Sequence, residues 1–196
     1  MREYNALSQM QTHLLENDTI DIVGDIDGNM VIYVREAIVR AMSQPQAKQN
    51  QWLDLLILMS SNGGSIPYGL DIYDLLKNYP GRTIGRVYSG ANSMGAVILQ
   101  ACDWRQCLPH AGILIHNPWL DKLTWDEAHN PEQLQKRLNS LDHERQEMLE
   151  ILSKRSGQTF DKIAEVCAKN TDLTAKEALE LGLIDEIYQL EKRSYS

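Results

Sequence analysis

The run Leu53-Asp54-Leu55-Leu56-Ile57-Leu58-Met59, followed at once by Ser60-Ser61-Asn62-Gly63-Gly64, constrains this chain more than any other segment. A continuous apolar run of that length fits a strand buried on both faces, the usual pattern inside a parallel sheet. Its core, Leu55 to Met59, is far short of the ~20 apolar residues a membrane helix needs. Paired glycines after the strand free the backbone to turn sharply and to present N–H groups at close range to a ligand. The plainer reading is a tight strand-to-helix turn.

The flanking segments alternate in the same way. Ile20 to Ile26 reads as a strand closed by an Asp27-Gly28-Asn29 turn, and Met30 to Met42 carries Val31, Val34, Ile38 and Met42 as a helical stripe. After the polar loop around Pro45 to Gln51 and the apolar run, Leu70, Tyr73, Asp74 and Lys77 fall on a helix stopped by Pro80-Gly81. Arg82 to Tyr88 predicts a strand and Asn92 to Cys102 a small-residue helix. Leu108-Pro109 and Gly112 to Ile115 predict two short strands. Asn130-Pro131 predicts a capped start for a helix reaching Gly157, with Leu134, Leu138, Leu141, Met148 and Leu152 on one stripe. That length exceeds the usual ~10–14 residues, so the helix is expected to project or to pack on another subunit. Thr159 to Lys169 predicts a short helix. Thr174-Ala175-Lys176-Glu177 is a capping box for a helix that Gly182 ends, before a strand at Leu183 to Tyr188. Alternating strands and helices make the fold class α/β, and with no repeat or linker the 196 residues read as one domain.

Nineteen basic against 27 acidic residues give a net charge of −8. Nucleic acid and anionic membrane both demand a basic face, so neither is expected as the main partner. The first residues lack the apolar core of a signal peptide, which predicts a cytosolic protein and leaves the Asn17-Asp18-Thr19 sequon without meaning. Cys102, Cys107 and Cys167 fit buried, reduced thiols, and no metal motif stands out.

Two further segments could do chemistry. In Tyr88-Ser89-Gly90-Ala91-Asn92-Ser93-Met94-Gly95-Ala96, small neighbours leave the Ser93 hydroxyl reachable at a helix start, where negative charge is favoured. Ala91 holds the first glycine position of the Gly-x-Ser-x-Gly elbow, and the plain alternative is a capping or packing serine. In Ile113-Leu114-Ile115-His116-Asn117-Pro118, His116 ends an apolar strand; a satisfied core histidine is the plain alternative. His13, His110, His129 and His143 read as surface residues. Trp119 and Trp125 either line a groove or pack.

In order, SSNGG, IYDLL, GANSMGA, a CLP segment, ILIHNP and LTAKEALELGLIDEI resemble the proteolytic subunit of the Clp protease family, over about Asp18 to Leu190. The resemblance implies a crotonase-like fold of strand–strand–helix units and seven-membered rings, stacked around a proteolytic chamber that an ATP-dependent unfoldase feeds. It calls for no cofactor or metal. Carried over, Ser93 is the nucleophile, His116 the general base, and the N–H groups of Gly64 and Met94 the oxyanion hole. The chemistry is coherent: a serine needs a base to take its proton, and the tetrahedral oxyanion needs fixed donors.

The chain departs from the pattern at several points. The family's third catalytic residue, an aspartate four positions before the last capping box, is Asn170 here, and Asp172 is the nearby substitute. The preceding family arginine is Lys169, which lacks the bidentate fork. WLDKLTWDEAHNPE replaces the family's glycine-rich strand, and most of the axial pore loop is missing. These departures suit a divergent or phage-encoded member, acting in the cytoplasm or the host's. The expected function is a serine endopeptidase for peptides and unfolded proteins. The alternatives are a weakly active or non-catalytic subunit that assembles with an active Clp protease, and an acyl-CoA enzyme on the same fold. The leucine stripe of the long helix predicts a homo-oligomer with this helix between stacked rings.

Overall fold

The computed structural model describes residues 18–44, 47, 51–120 and 122–189. Asn17 of the sequon, His13 and much of the Pro45–Gln51 loop lie outside the described residues. The chain is α/β, as its alternating pattern predicts. Strands β1 (Thr19–Ile26), β2 (Leu55–Gly64), β3 (Thr83–Asn92), β4 (Trp104–Cys107) and β7 (Glu186–Ile187) form a parallel sheet in that order. Helices α1 (Gly28–Met42), α2 (Ile66–Lys77) and α3 (Met94–Leu99) follow β1, β2 and β3 and pack in a row.

Strand β3 sets up everything that follows, because it serves two partners. Its first half, Ile84 to Val87, pairs with β4, while its last residues, Gly90 to Asn92, pair with β5 (Gly112–Ile115). β5 in turn pairs antiparallel with β6 (Thr171–Thr174). The branch brings the ends of β3 and β5 side by side.

Several boundaries differ from the sequence expectation, each for a local reason. Asp27 caps α1 by accepting the Met30 N–H at 2.9 Å, so the expected turn is the first turn of the helix. The buried face of α1 is Met30, Val34, Ala37, Ile38 and Ala41; small alanines carry the packing, and Met42 is exposed. Strand β2 alternates buried and half-buried residues, so the apolar run is covered fully on one face only. Ser60 to Gly64 continues β2, paired to β1, and the helix begins at Ile66 after the single residue Ser65. The helix after β3 is shorter than expected, and the strand expected at Leu108-Pro109 lies instead at Trp104–Cys107.

Helix α5 (Pro131–Ser156) spans 26 residues, about 39 Å at 1.5 Å per residue. Asn130 caps it, accepting the N–H groups of Glu132 and Gln133. A short helix α4 (Trp125–His129), with its own Thr124–Glu127 capping box, precedes it and was not legible as a helix. The leucine stripe of α5 is not one exposed face. Met148 and Leu152 are buried in the chain's own core, and Leu138 is exposed. Helices α6 (Phe160–Ala168) and α7 (Ala175–Leu181) follow, α6 capped by Thr159 and α7 by the predicted Thr174–Glu177 box. No helix among the described residues is long and apolar enough to cross a membrane.

Candidate active site

Ser93 stands at the junction of β3 and α3 with φ 54° and ψ −119°, a backbone state that residues other than glycine rarely adopt. Its own N–H donates to the Leu114 carbonyl at 2.8 Å, and its carbonyl accepts the Ala96 N–H at 3.0 Å. The side chain makes no capping bond to α3. The hydroxyl is therefore presented by a sharp strand-to-helix turn without being used to start the helix. Gly-x-Ser-x-Gly elbows present their serine on the same kind of strained turn, although Ala91 breaks their sequence pattern.

His116 follows directly after β5, and the pairing Asn92↔Leu114 holds that strand end beside Ser93. His116 is 6% exposed. Its Nδ1 lies 2.6 Å from the Asn117 main-chain carbonyl oxygen. A carbonyl only accepts, so Nδ1 carries the proton in the neutral ring and Nε2 keeps its lone pair. That is the tautomer a general base needs. The Trp119 ring stacks on the imidazole, with centroids 4.4 Å apart and planes 9° from parallel. Among the described residues no hydrogen bond joins Ser93 Oγ to His116.

From β2, Gly63 comes against this turn and Gly64 against β1. Gly63 has φ 94°, and a Cβ there would sit 2.6 Å from Ser93 Cβ and 2.8 Å from the Asn92 carbonyl oxygen. At Gly64, φ 151°, a Cβ would meet the Ile26 carbonyl oxygen at 2.5 Å. Only glycines allow the two segments to approach so closely. Met94 is the first residue of α3, so its N–H is among the first-turn donors that have no acceptor within the helix.

Ser93, His116, Gly63 and Gly64 line one cleft of about 690 Å³. Ile66, Pro67, Pro118, Trp119, Leu141 and Met148 give it apolar walls, and Asp25, Arg137 and Glu144 supply charge. Trp119 thus lines the groove as well as packing. Leu141 and Met148 show where part of the α5 stripe goes.

The two candidates for the third catalytic position separate. Asp172 lines a neighbouring polar cavity of about 230 Å³ with Ser60, Ser61, Asn62, Ser89 and Asn92, and Asn62 is shared with the cleft. Asn170 is exposed, with φ 50°. Its N–H and that of Asn117 both donate to the Cys167 carbonyl at 3.2 Å, which ties the turn after α6 to the histidine segment.

Of the remaining reactive side chains among the described residues, only Cys167 packs near the histidine segment. The three cysteines are buried and unpaired; burial pushes the Cys102 thiol up to about 12 and those of Cys107 and Cys167 up to about 11. Thiols held so far above neutrality carry little thiolate. His129 stacks on Trp125, and exposed His143 faces Glu147, both at the surface as expected. Asn117 and Arg145 are not singled out by the sequence, though Asn117 sits inside the histidine motif.

A family model for Clp protease matches residues 2–191, nearly the whole chain. The chain belongs to the Clp protease family.

Proposed function

We propose that the chain is a serine endopeptidase that cleaves peptides and unfolded proteins, with Ser93 as nucleophile and His116 as general base. The observation that carries this reading is Ser93 held at φ 54°, its hydroxyl making no helix-capping bond, in the same cleft as a histidine whose Nδ1 faces a carbonyl. His116 Nε2 takes the hydroxyl proton as Ser93 Oγ attacks the peptide carbonyl, then returns it to the leaving amine. The N–H groups of Gly64 and Met94 receive the oxyanion. Apolar walls at Ile66, Leu141, Met148 and Trp119 suit side chains of an extended peptide.

The Asn117 carbonyl holds the histidine tautomer, and Asn170, whose N–H shares the Cys167 carbonyl with that of Asn117, is the neutral residue at the third position. Within the Clp family this chemistry belongs in a homo-oligomeric ring, in the cytoplasm or a host's, with an ATP-dependent unfoldase and other Clp-type subunits as partners. A weakly active or non-catalytic subunit is the second reading, favoured by the absence of a carboxylate at residue 170. Short-peptide cleavage by the wild type and by Ser93→Ala decides between them: activity lost in the variant supports the peptidase, and no turnover in either favours the second reading.

A further inference from the structure

Resting on the reading of His116 as general base, we propose that Arg145 of α5 is a positioning residue for that base, acting through Asn117. Asn117 is held at three points. Its N–H donates to the Cys167 carbonyl at 3.2 Å, its side-chain Oδ1 accepts from Arg145 Nε at 2.9 Å, and its carbonyl faces His116 Nδ1 at 2.6 Å. The next residue is Pro118, which restricts Asn117 to extended backbone and fixes its own φ. With the N–H anchored and the following bond constrained, the side-chain bond from Arg145 removes the freedom that remains. The carbonyl direction, and with it the plane of the imidazole, then follows from where α5 sits.

The surroundings suit a fixed lever. Met148, Leu149, Leu152 and Cys167 close around Arg145, Asn117 and His116, with no room for a water among them. No side chain of α5 has to hydrogen-bond the imidazole; two hydrogen bonds in series carry its placement to the ring. An arginine suits this role because Nε donates from a rigid plane, which a lysine ammonium does not reproduce.

The test uses the full chain, a fluorogenic peptide, and 15N-labelled histidine observed by NMR. Arg145→Ala should lower kcat on the order of tenfold with KM unchanged, since a small misplacement of a catalytic group slows the chemical step rather than binding. Asn117→Ala should do the same, and the double variant should be no worse than either single one. Asn117→Asp keeps an acceptor for Arg145 and should restore kcat to within about twofold of wild type. In the 15N spectrum the neutral His116 ring should show a protonated Nδ1 in the wild type and a mixture of tautomers in Arg145→Ala. Unchanged kcat in Arg145→Ala, fully additive losses in the double variant, or an unaltered His116 spectrum would each overturn the proposal. If Arg145→Ala does not fold, Arg145→Gln is read in the same way. Should the wild type show no turnover, the peptidase reading fails by itself, while the spectra still decide whether Arg145 holds the ring.

Discussion

The main-chain N–H of Ser93 donates to the carbonyl of Leu114 at 2.8 Å, two residues before His116. This bond continues the parallel pairing of β3 with β5, so the sheet sets the spacing between nucleophile and base. Ser93 directly follows the paired end of β3, and His116 directly follows β5. The strained φ of Ser93 costs about 1–3 kcal/mol, which the surrounding strand pairing and buried helix offset.

The third position is tested by two single variants. Asn170→Asp places a carboxylate in the turn tied to Asn117 and should raise kcat about tenfold, a gain of ~1.4 kcal/mol in barrier, by stabilising the imidazolium. Asp172→Asn alters the neighbouring cavity and should leave kcat within about twofold, less than ~0.5 kcal/mol. Steady-state peptide hydrolysis reads both. A loss of activity in Asp172→Asn would assign the triad position to Asp172 instead.

Gly63 has no space for a side chain. The alanine Cβ would overlap Ser93 Cβ and the Asn92 carbonyl at a φ of 94°. Gly63→Ala should therefore lower kcat on the order of a hundredfold, since the nucleophile must shift. Near-normal turnover in a folded Gly63→Ala protein would show that the close approach is not needed.

A buried brace should make stability sensitive to acid. Arg105, 4% exposed, is held by Asp185 through Nε at 3.0 Å and a second nitrogen at 2.6 Å. Partial burial works to raise the Asp185 carboxyl, but the hydrogen bonds and charge of Arg105 outweigh it and hold the carboxyl below its usual range. A depressed carboxyl contributes stability above its unfolded value, near 3.9, and loses it as pH falls through the folded value. Asp185→Asn should thus cost about 2 kcal/mol at pH 7 by urea unfolding, and the gap to wild type should close as pH drops below about 4. A gap that does not change with pH would contradict this account.

Much of the fold was legible because it is written in local chemistry. The Thr174–Glu177 capping box, the Asn130 cap and the glycine stop at Gly182 each act within one helical turn, and all three mark real helix ends. Ser93 and His116 could be picked out since small residues surround one and an apolar strand precedes the other. What escaped depends on contacts far apart in sequence. The short strand β4 exists through pairing with β3 and β7, and its own four residues carry little pattern. Asn117 faces His116 with a main-chain atom, which any residue would carry, and its link to Arg145 spans 28 positions. The periodicity of the α5 stripe does not say what covers it; Met148 and Leu152 pack inward within the chain itself.

The most direct measurement is labelling with a fluorophosphonate probe, followed by peptide mapping of the adduct. The wild-type chain should carry one adduct, on Ser93, with short-peptide cleavage lost in step with labelling. Ser93→Ala and His116→Ala should neither label nor cleave. Undiminished cleavage by a clean Ser93→Ala preparation, or an adduct on any other residue, would contradict the assignment of Ser93 as the nucleophile.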